Sequence, residues 1–413
     1  MRSRGVGLAH VGQKRSNNED CWVADDQLGL YLVADGMGGH SAGDVASAMA
    51  VSAAAGVVRE DRELLTRVQK GEVAARELMP LVKRAVDAAN ESVHEAAKSD
   101  ATKQGMGCTL TLLLIAGTRG IMAHVGDSRL YVSRGDRVHQ LSQDQTVAAE
   151  LVREGVLKPE QVATSRWRNA LAQAIGTKES VKPDYLRFEL APGDRFLLCS
   201  DGLSNYFKDD AGWLTSQLRQ EDLEGIPSEL IDFANAAGGS DNITAVVVEV
   251  SAEPSEDALS LTASVTGRIN AVGETFLCRD LSLARQARVL SHCELETYSA
   301  GEVLVKAGDP LPGLFLVASG ALCLEVEGQT VDTLAAGESF GASAMVLPRA
   351  ARVTVRASEP SQALLLRSES IQELSRSRPR LGMILQRRIA RELGQALEER
   401  LEQETSPPPS LRP

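Results

Sequence analysis

The chain has 413 residues and a formal net charge of −12, with 43% apolar and 24% charged residues. This length exceeds that of one ordinary hydrophobic core, so the composition indicates a folded protein of two or three domains. A negative surface repels phosphate backbones, and aromatic residues, at 4%, are too scarce to form base-stacking platforms, so we expect no nucleic-acid binding. No apolar run is long enough to span a membrane and the first residues lack a signal-peptide core, which predicts a cytoplasmic protein.

Up to about residue 250, short apolar runs alternate with long alanine-rich stretches. The apolar runs are rich in Val, Leu and Ile and predict strands at 28–34, 109–115, 120–125, 129–132, 195–199 and 244–250. The alanine-rich stretches predict helices over 42–59 and 72–98, with Pro80 kinking or splitting the second. Many strands with two long helices indicate an α+β fold, a β-sandwich flanked by helices, over a first domain at 1–251.

After residue 250 the sequence changes character. An acidic, polar stretch predicts a linker over 252–272. Beyond a short predicted helix at 282–292, glycines recur between β-like segments, which predicts a small β-roll or jelly-roll domain over 273–402. A long helix is predicted over 379–402, and its leucine stripe fits either a homodimer contact or packing on the β-roll. Residues 403–413 are proline-rich and predict a disordered tail.

Four aspartates of the first domain share one setting: Asp35, Asp127, Asp201 and Asp241 each lie beside an apolar run and a small or turn-forming residue. A single aspartate of this kind caps a turn, but four of them indicate a cluster of oxygen ligands for Mg²⁺ or Mn²⁺. Clustered carboxylates need cations to stay ionised. Two ions about 3.5–4 Å apart would satisfy that need and activate water for attack on phosphorus.

Upstream of these aspartates, the segment 15–20 reads Arg-Ser-Asn-Asn-Glu-Asp. The planar fork of Arg15 suits bidentate phosphate binding. Glu19 and Asp20 would reach the metals or their waters. Taken alone, the segment fits a solvated charged loop equally well.

Six segments in chain order resemble the motifs of the metal-dependent serine/threonine protein phosphatases of type 2C, in their bacterial form. They are residues 15–20, 34–40, 105–109, 125–129, 199–202 and 240–244. The resemblance covers residues 5–250 and implies a β-sandwich with the metals in a cleft at one edge.

The resemblance implies a set of metal ligands, some direct and some acting through water. They are Glu19, Asp20, Asp35, Gly36, Asp127, Asp201 and Asp241. Asp35 would bridge two ions, Gly36 would contribute its carbonyl, and Asp127 would serve a third, looser ion. Arg15 would bind phosphate. The implied reaction is hydrolysis of phosphoserine or phosphothreonine by metal-activated water, without a phosphoenzyme. The implied substrates are phosphorylated proteins, serine/threonine kinases or their targets.

Several positions depart from the family pattern. Cys108 replaces the first of two threonines, and residues 144–146 read Asp-Gln-Thr where Asp-His-Ser is usual. Met37, usual in the bacterial form, leaves the general acid unassigned, and we interpret His40 as a turn or helix-start residue. Residues 147–176 match the family's flap, which helps to select substrates.

Residues 273 to about 400 resemble a cyclic-nucleotide-binding domain. The resemblance lies in residues 298–302, 306–309, 314–320, 336–341 and 348–351. In binding-competent members a glutamate holds the ribose hydroxyl and an arginine the cyclic phosphate; here Ala342 stands at the glutamate position, whereas Arg349 is present. A lost charge-assisted hydrogen bond costs about 1.5–3 kcal/mol. The sequence therefore favours a degenerate module for docking, dimerisation or another ligand, and it leaves no room for a helix-turn-helix.

The leading hypothesis is an active phosphatase that its C-terminal domain controls or locates. One alternative is a pseudophosphatase scaffold, whose signature would be missing metal aspartates. Another is a cyclic-nucleotide receptor with phosphatase output, which Ala342 argues against. A purely structural metal site is disfavoured by Arg15 beside the carboxylates.

Overall fold

The structure, a computed structural model, divides the chain into two units, Met1–Thr262 and Ala263–Pro413. The residues that it describes are 1–38, 42–207, 211–252 and 256–405. His40 therefore lies outside the described residues. A helix, α8, occupies Glu256–Glu274 and overlaps the predicted linker over 252–272, which as a domain boundary stays a prediction. Val265 and Val272 of this helix are buried, and this apolar burial stabilises a helix in a segment whose start is polar.

Two antiparallel sheets form the first unit. Their strands are β1 Arg2–His10, β2 Asp20–Asp25, β3 Leu30–Met37, β4 Gly107–Cys108, β5 Leu110–Ala116, β6 Arg119–Val125, β7 Arg129–Arg134, β8 Arg137–Gln140, β9 Asp184–Glu189, β10 Arg195–Cys199 and β11 Ile243–Ser251. One sheet has the order β1-β11-β10-β7-β8 and the other β2-β3-β5-β6-β9, with β4 beside β3. Phe188 of β9 and Phe196 of β10 meet between the sheets with ring centroids 5.7 Å apart. The β-sandwich is thus confirmed.

Helices cover the outer face of each sheet. They are α1 Gly43–Glu60, α2 Arg62–Gln69, α3 Leu78–Ser99, α4 Val147–Arg153, α5 Asp201–Ser204, α6 Ala211–Leu218 and α7 Ile226–Ala236, with 3-10 turns at Ala75–Glu77, Ala101–Lys103 and Pro159–Gln161. Buried alanines such as Ala50 and Ala85 let α1 and α3 pack closely on the β3–β5–β6 face. Pro80 neither kinks nor splits α3, because it lies in the first turn, where backbone N–H groups have no helical acceptor.

The second unit contains two four-stranded antiparallel sheets. Its elements are α9 Leu283–Leu290, β12 Cys293–Tyr298, β13 Val303–Val305, β14 Leu314–Ser319, β15 Ala321–Val326, β16 Gln329–Ala335, β17 Ser339–Phe340, a 3-10 turn Ala342–Met345, β18 Thr354–Ala357, β19 Ser361–Leu366, α10 Ser368–Ser377 and α11 Pro379–Thr405. The sheet orders are β12-β19-β14-β17 and β13-β18-β15-β16. Phe315 and Phe340 stack with centroids 4.6 Å apart in the core. The predicted β-roll is confirmed; the predicted domain boundaries stay a prediction.

The first half of α11 packs on the second unit. Leu385 and Ile389 are buried there, whereas Leu397 and Leu401 are 59% and 51% exposed. The homodimer contact stays a prediction for the exposed half. Of the predicted tail, residues 403–405 belong to α11 and 406–413 lie outside the described residues. In the part of the chain that the structure describes, no helix combines the length and apolar character needed to cross a membrane.

Candidate metal centre

The predicted aspartates come together around Asp35 in the first unit. Asp35 lies opposite Asp20 in the β2–β3 register. Burial raises the pKa of Asp35 well above its usual range, and the charges of Asp20, Asp201, Asp127 and Asp241 raise it further. Asp35 lies within β3 and not at its end, because Gly36 and Met37 continue the strand by pairing with β4.

Two hydroxyl groups donate hydrogen bonds to one carboxylate oxygen of Asp20, and the other carboxylate oxygen receives none from the described residues. Ser200 Oγ and Thr244 Oγ1 donate to its Oδ2 at 2.8 and 2.7 Å. No donor among the described residues reaches its buried Oδ1. Burial raises the pKa of Asp20 to about 7 although both hydroxyls lower it. An unpaired buried carboxylate oxygen is costly, so this atom is suited to a cation or to a cation's water.

Glu19 lies against the start of α1. Ser47 Oγ of α1 donates to the Glu19 carbonyl oxygen at 2.6 Å. A Cβ on Gly43 would lie 2.7 Å from the Glu19 carboxyl carbon, and a Cβ on Gly36 would lie 2.1 Å from the Gly43 carbonyl oxygen. Glycine at both positions therefore lets β3, α1 and the Glu19 side chain approach closely. Burial raises the pKa of Glu19.

Asn242 organises the loop that carries Glu19, a role that the 240–244 motif in the sequence does not reveal. Its Oδ1 accepts from the Glu19 backbone N–H at 2.9 Å. Its Nδ2 donates to the carbonyl oxygens of Val11 and Asn17 at 3.0 and 2.9 Å. The only signal in the sequence is its place beside Asp241; its partners are more than 220 residues away along the chain.

Arg15 lies at the rim of the carboxylate cluster. Its Nη2 donates to Asp241 Oδ2 at 2.9 Å, and its side chain is 52% exposed. The charge of Asp241 raises the pKa of Arg15, and Glu19 and Asp35 add to the effect. The predicted phosphate-binding side chain is therefore next to the cluster and accessible from solvent.

Asp201 and Asp127 each lie two residues past the end of a strand, β10 and β6 respectively. Asp201 begins α5 and accepts from Asn205 Nδ2 at 3.2 Å. Burial raises the pKa of Asp127 to about 7, and the charges of Asp201 and Asp144 raise it further. Strand ends are rigid, which fixes both carboxylates relative to Asp35.

The cluster fits hard divalent cations that keep part of their water. In the described residues, no group of three or more His, Cys, Asp or Glu side chains is arranged to hold an ion alone. The neighbouring carboxylates repel one another, as the raised pKa of Asp35 shows, so a bound cation would stabilise their ionised forms. Mg²⁺ commonly keeps several waters and takes only one or two carboxylates, which suits this looser arrangement.

Residues 6–233 match the family model described as Protein phosphatase 2C. The chain belongs to the protein phosphatase 2C family. The predicted enzyme class, a metal-dependent protein phosphatase, is confirmed by this match and by similar proteins. The protein phosphatase PhpP of Streptococcus pneumoniae is 37% identical over 257 residues, which are 60% of this chain and 98% of PhpP.

Solved structures of phosphatases resemble this protein phosphatase 2C domain. The Streptococcus agalactiae serine/threonine phosphatase is 34% identical with a TM-score of 0.54, covering 60% of this chain and 99% of that one. The catalytic domain of the serine/threonine protein phosphatase PstP, in complex with two manganese ions, is 33% identical with a TM-score of 0.52. That match covers 61% of this chain and 99% of the PstP chain.

Residues 295–378 match the family model described as Cyclic nucleotide-binding domain, which confirms the second resemblance. A cavity of about 190 Å³ in this unit is lined mainly by apolar side chains, and Arg349 and Arg352 also line it. Ala342 does not line the cavity; it packs against the core that includes Leu385. A degenerate nucleotide pocket around Arg349 stays a prediction.

Proposed function

We propose that this phosphatase hydrolyses phosphoserine and phosphothreonine in proteins at a site for two or three Mn²⁺ or Mg²⁺ ions. One observation carries the proposal: the half-buried Asp35 lies among Asp20, Asp127, Asp201 and Asp241, with the accessible Arg15 beside them. A structural metal site would not need an arginine at its rim.

The residues proposed to hold the ions divide into three sets. Asp35, the carbonyl of Gly36, Asp201 and Asp241 would contact two ions, while Glu19 and Asp20 would act through water. Asp127 would hold a third ion. Bound divalent ions would neutralise the carboxylates, lower the pKa of water and contact phosphoryl oxygens.

The remaining residues position the carboxylates and the substrate. Ser200 and Thr244 fix the orientation of Asp20 by donating to its Oδ2. Asn242 holds the Glu19 backbone in place. Arg15 contacts Asp241 through one nitrogen, and its remaining N–H groups can bind a substrate phosphate, since guanidinium fits phosphate in a planar, bidentate manner.

The proposed substrates are phosphorylated proteins, including serine/threonine kinases, in the cytoplasm. The names of the relatives support this: PhpP is a protein phosphatase and PstP a serine/threonine protein phosphatase. We assign the second unit a regulatory or docking role. Its cavity has Arg349 but no acidic side chain in its lining, which favours a role other than cyclic-nucleotide sensing. Saturable binding of cyclic AMP in calorimetry, with a change in turnover, would favour the receptor alternative.

The decisive experiment measures hydrolysis of p-nitrophenyl phosphate and of a phosphothreonine peptide with and without Mn²⁺. Wild type should turn over both substrates only with Mn²⁺, and Asp201→Ala should lose this activity. Asp232→Ala, which changes an exposed aspartate of α7, is the matched control and should behave like wild type. If folded wild type binds Mn²⁺ but hydrolyses neither substrate, the phosphatase proposal is rejected and the pseudophosphatase scaffold becomes the favoured hypothesis.

A further inference from the structure

The part of the flap from Val147 to Ala170 begins and ends at one neck of the chain. Val147 N donates to Ala170 O and Ala172 N donates to Gln145 O, each at 2.7 Å, so the start of the flap is paired with residues 170–172. Thr146 Oγ1 accepts from Ala149 N at 3.1 Å and caps α4, the first helix of the flap. The flap is therefore tied to the residues next to Gln145 at this neck, and Ile175, near its end, pairs separately with Cys108 of β4.

Gln145 binds the turn that carries Asp127 with both its backbone and its side chain. Gln145 N donates to Gly126 O at 2.7 Å, and Gly126 N donates to Gln145 Oε1 at 3.0 Å. Its Nε2 lies 3.5 Å from the carbonyl oxygen of His124 and 3.4 Å from that of Lys182. The side chain is buried, with 9% exposure for the residue. A neutral amide can accept and donate at once, which this position requires.

The other side of the same turn is fixed to the β3 strand. Gly126 has φ +105°, and a Cβ there would lie 2.6 Å from Thr109 Cγ2. Thr109 Oγ1 accepts from Asp35 N at 2.9 Å and lies 2.7 Å from Ser128 Oγ. Asp127 is thus held between the Asp35 backbone on one side and Gln145 on the other.

We propose that Gln145 is a positioning residue that couples the flap to Asp127, so that the arrangement of the flap sets the affinity of the Asp127 ion site. The inference rests on the proposed function, because it takes Asp127 as an ion ligand. Gln145 acts through Gly126, whose two backbone hydrogen bonds to Gln145 orient the next residue, Asp127. Outer-shell residues of this kind change metal affinity by about 10–100-fold when they are replaced.

The test is a double-mutant cycle on the full chain with Gln145→Leu, Asp127→Asn and the double variant. Calorimetry with Mn²⁺ alone measures the ion sites independently of turnover, and the Mn²⁺ concentration for half-maximal p-nitrophenyl phosphate hydrolysis gives a second readout. Gln143→Leu is the matched control, because Gln143 is exposed and two residues away. Gln145→Met serves as a second apolar variant if Gln145→Leu does not fold.

We expect Gln145→Leu to weaken the loosest Mn²⁺ site about tenfold and to leave the tighter sites unchanged. On the Asp127→Asn background the same substitution should change Mn²⁺ binding less than twofold, since residues that act through one another are not additive. Three results would each overturn the coupling. The first is unchanged Mn²⁺ affinity in folded Gln145→Leu or Gln145→Met, and the second is an equal loss of affinity at every site. The third is a loss of Mn²⁺ affinity from the Gln145 substitution that is as large on the Asp127→Asn background as in wild type. Wild type without Mn²⁺-dependent turnover would instead reject the proposed function itself.

Discussion

Replacing Asp20 with Asn should stabilise the metal-free protein at neutral pH and remove part of its pH dependence. Burial raises the pKa of Asp20 from 3.8 to about 7, so the folded state holds a proton there that the unfolded state has already released. The sign follows: between about pH 4 and pH 7 the folded state binds more protons, and stability falls as the pH rises. A pKa raised this far corresponds to about 4 kcal/mol.

The assay is urea unfolding of metal-free protein at pH 5 and pH 7.5, followed by tryptophan fluorescence. The 3 tryptophans, Trp22, Trp167 and Trp213, all lie in the first unit, so the signal reports on that unit. Asp20→Asn keeps a carbonyl oxygen to accept from Ser200 or Thr244. Asp232→Asn is the exposed control.

The measured quantity is the free energy of unfolding of Asp20→Asn minus that of wild type. We expect this difference to be about 2–4 kcal/mol larger at pH 7.5 than at pH 5. Saturating Mn²⁺ should reverse the ranking at pH 7.5, because the ions favour the carboxylate. A difference between variant and wild type that does not change with pH would show that Asp20 is ionised in the metal-free fold, and the reasoning would fail.

Three further predictions concern single contacts. Arg15→Ala should lower kcat/KM for a phosphothreonine peptide by about 10–150-fold, the value of one charge-assisted hydrogen bond, while the exposed Lys14→Ala should not. Asn242→Ala should lower the free energy of unfolding by about 2 kcal/mol, measured in urea, because it leaves the Glu19 N–H without its acceptor. Asp194→Asn should cost about 3–5 kcal/mol in the same assay, since it breaks a buried pair in which Arg134 Nε donates to Asp194 at 2.7 Å; a loss below 1 kcal/mol would contradict this.

Strands buried on both faces could be predicted from the sequence, and half-buried strands could not. β5 and β10 are continuous apolar runs and appear where they were predicted, within one residue. β1 has exposed and half-buried positions and β9 alternates between buried and half-buried ones, and both include charged residues, so no apolar run marks them. Such strands form because a neighbouring strand makes the hydrogen bonds that their backbone N–H and C=O groups need, as β11 does along the whole of β1.

The sequence by itself determined which carboxylates form the candidate site and which family the chain belongs to, because both depend on residue types in short motifs. The tertiary structure decided which groups hold those carboxylates. Thr244 reaches Asp20 from 224 residues away and Asn242 reaches Glu19 from 223. Gln145 binds the backbone of Gly126, beside Asp127, from 19 residues away. A hydrogen bond depends on distance and direction in space, and no local pattern specifies either across such separations.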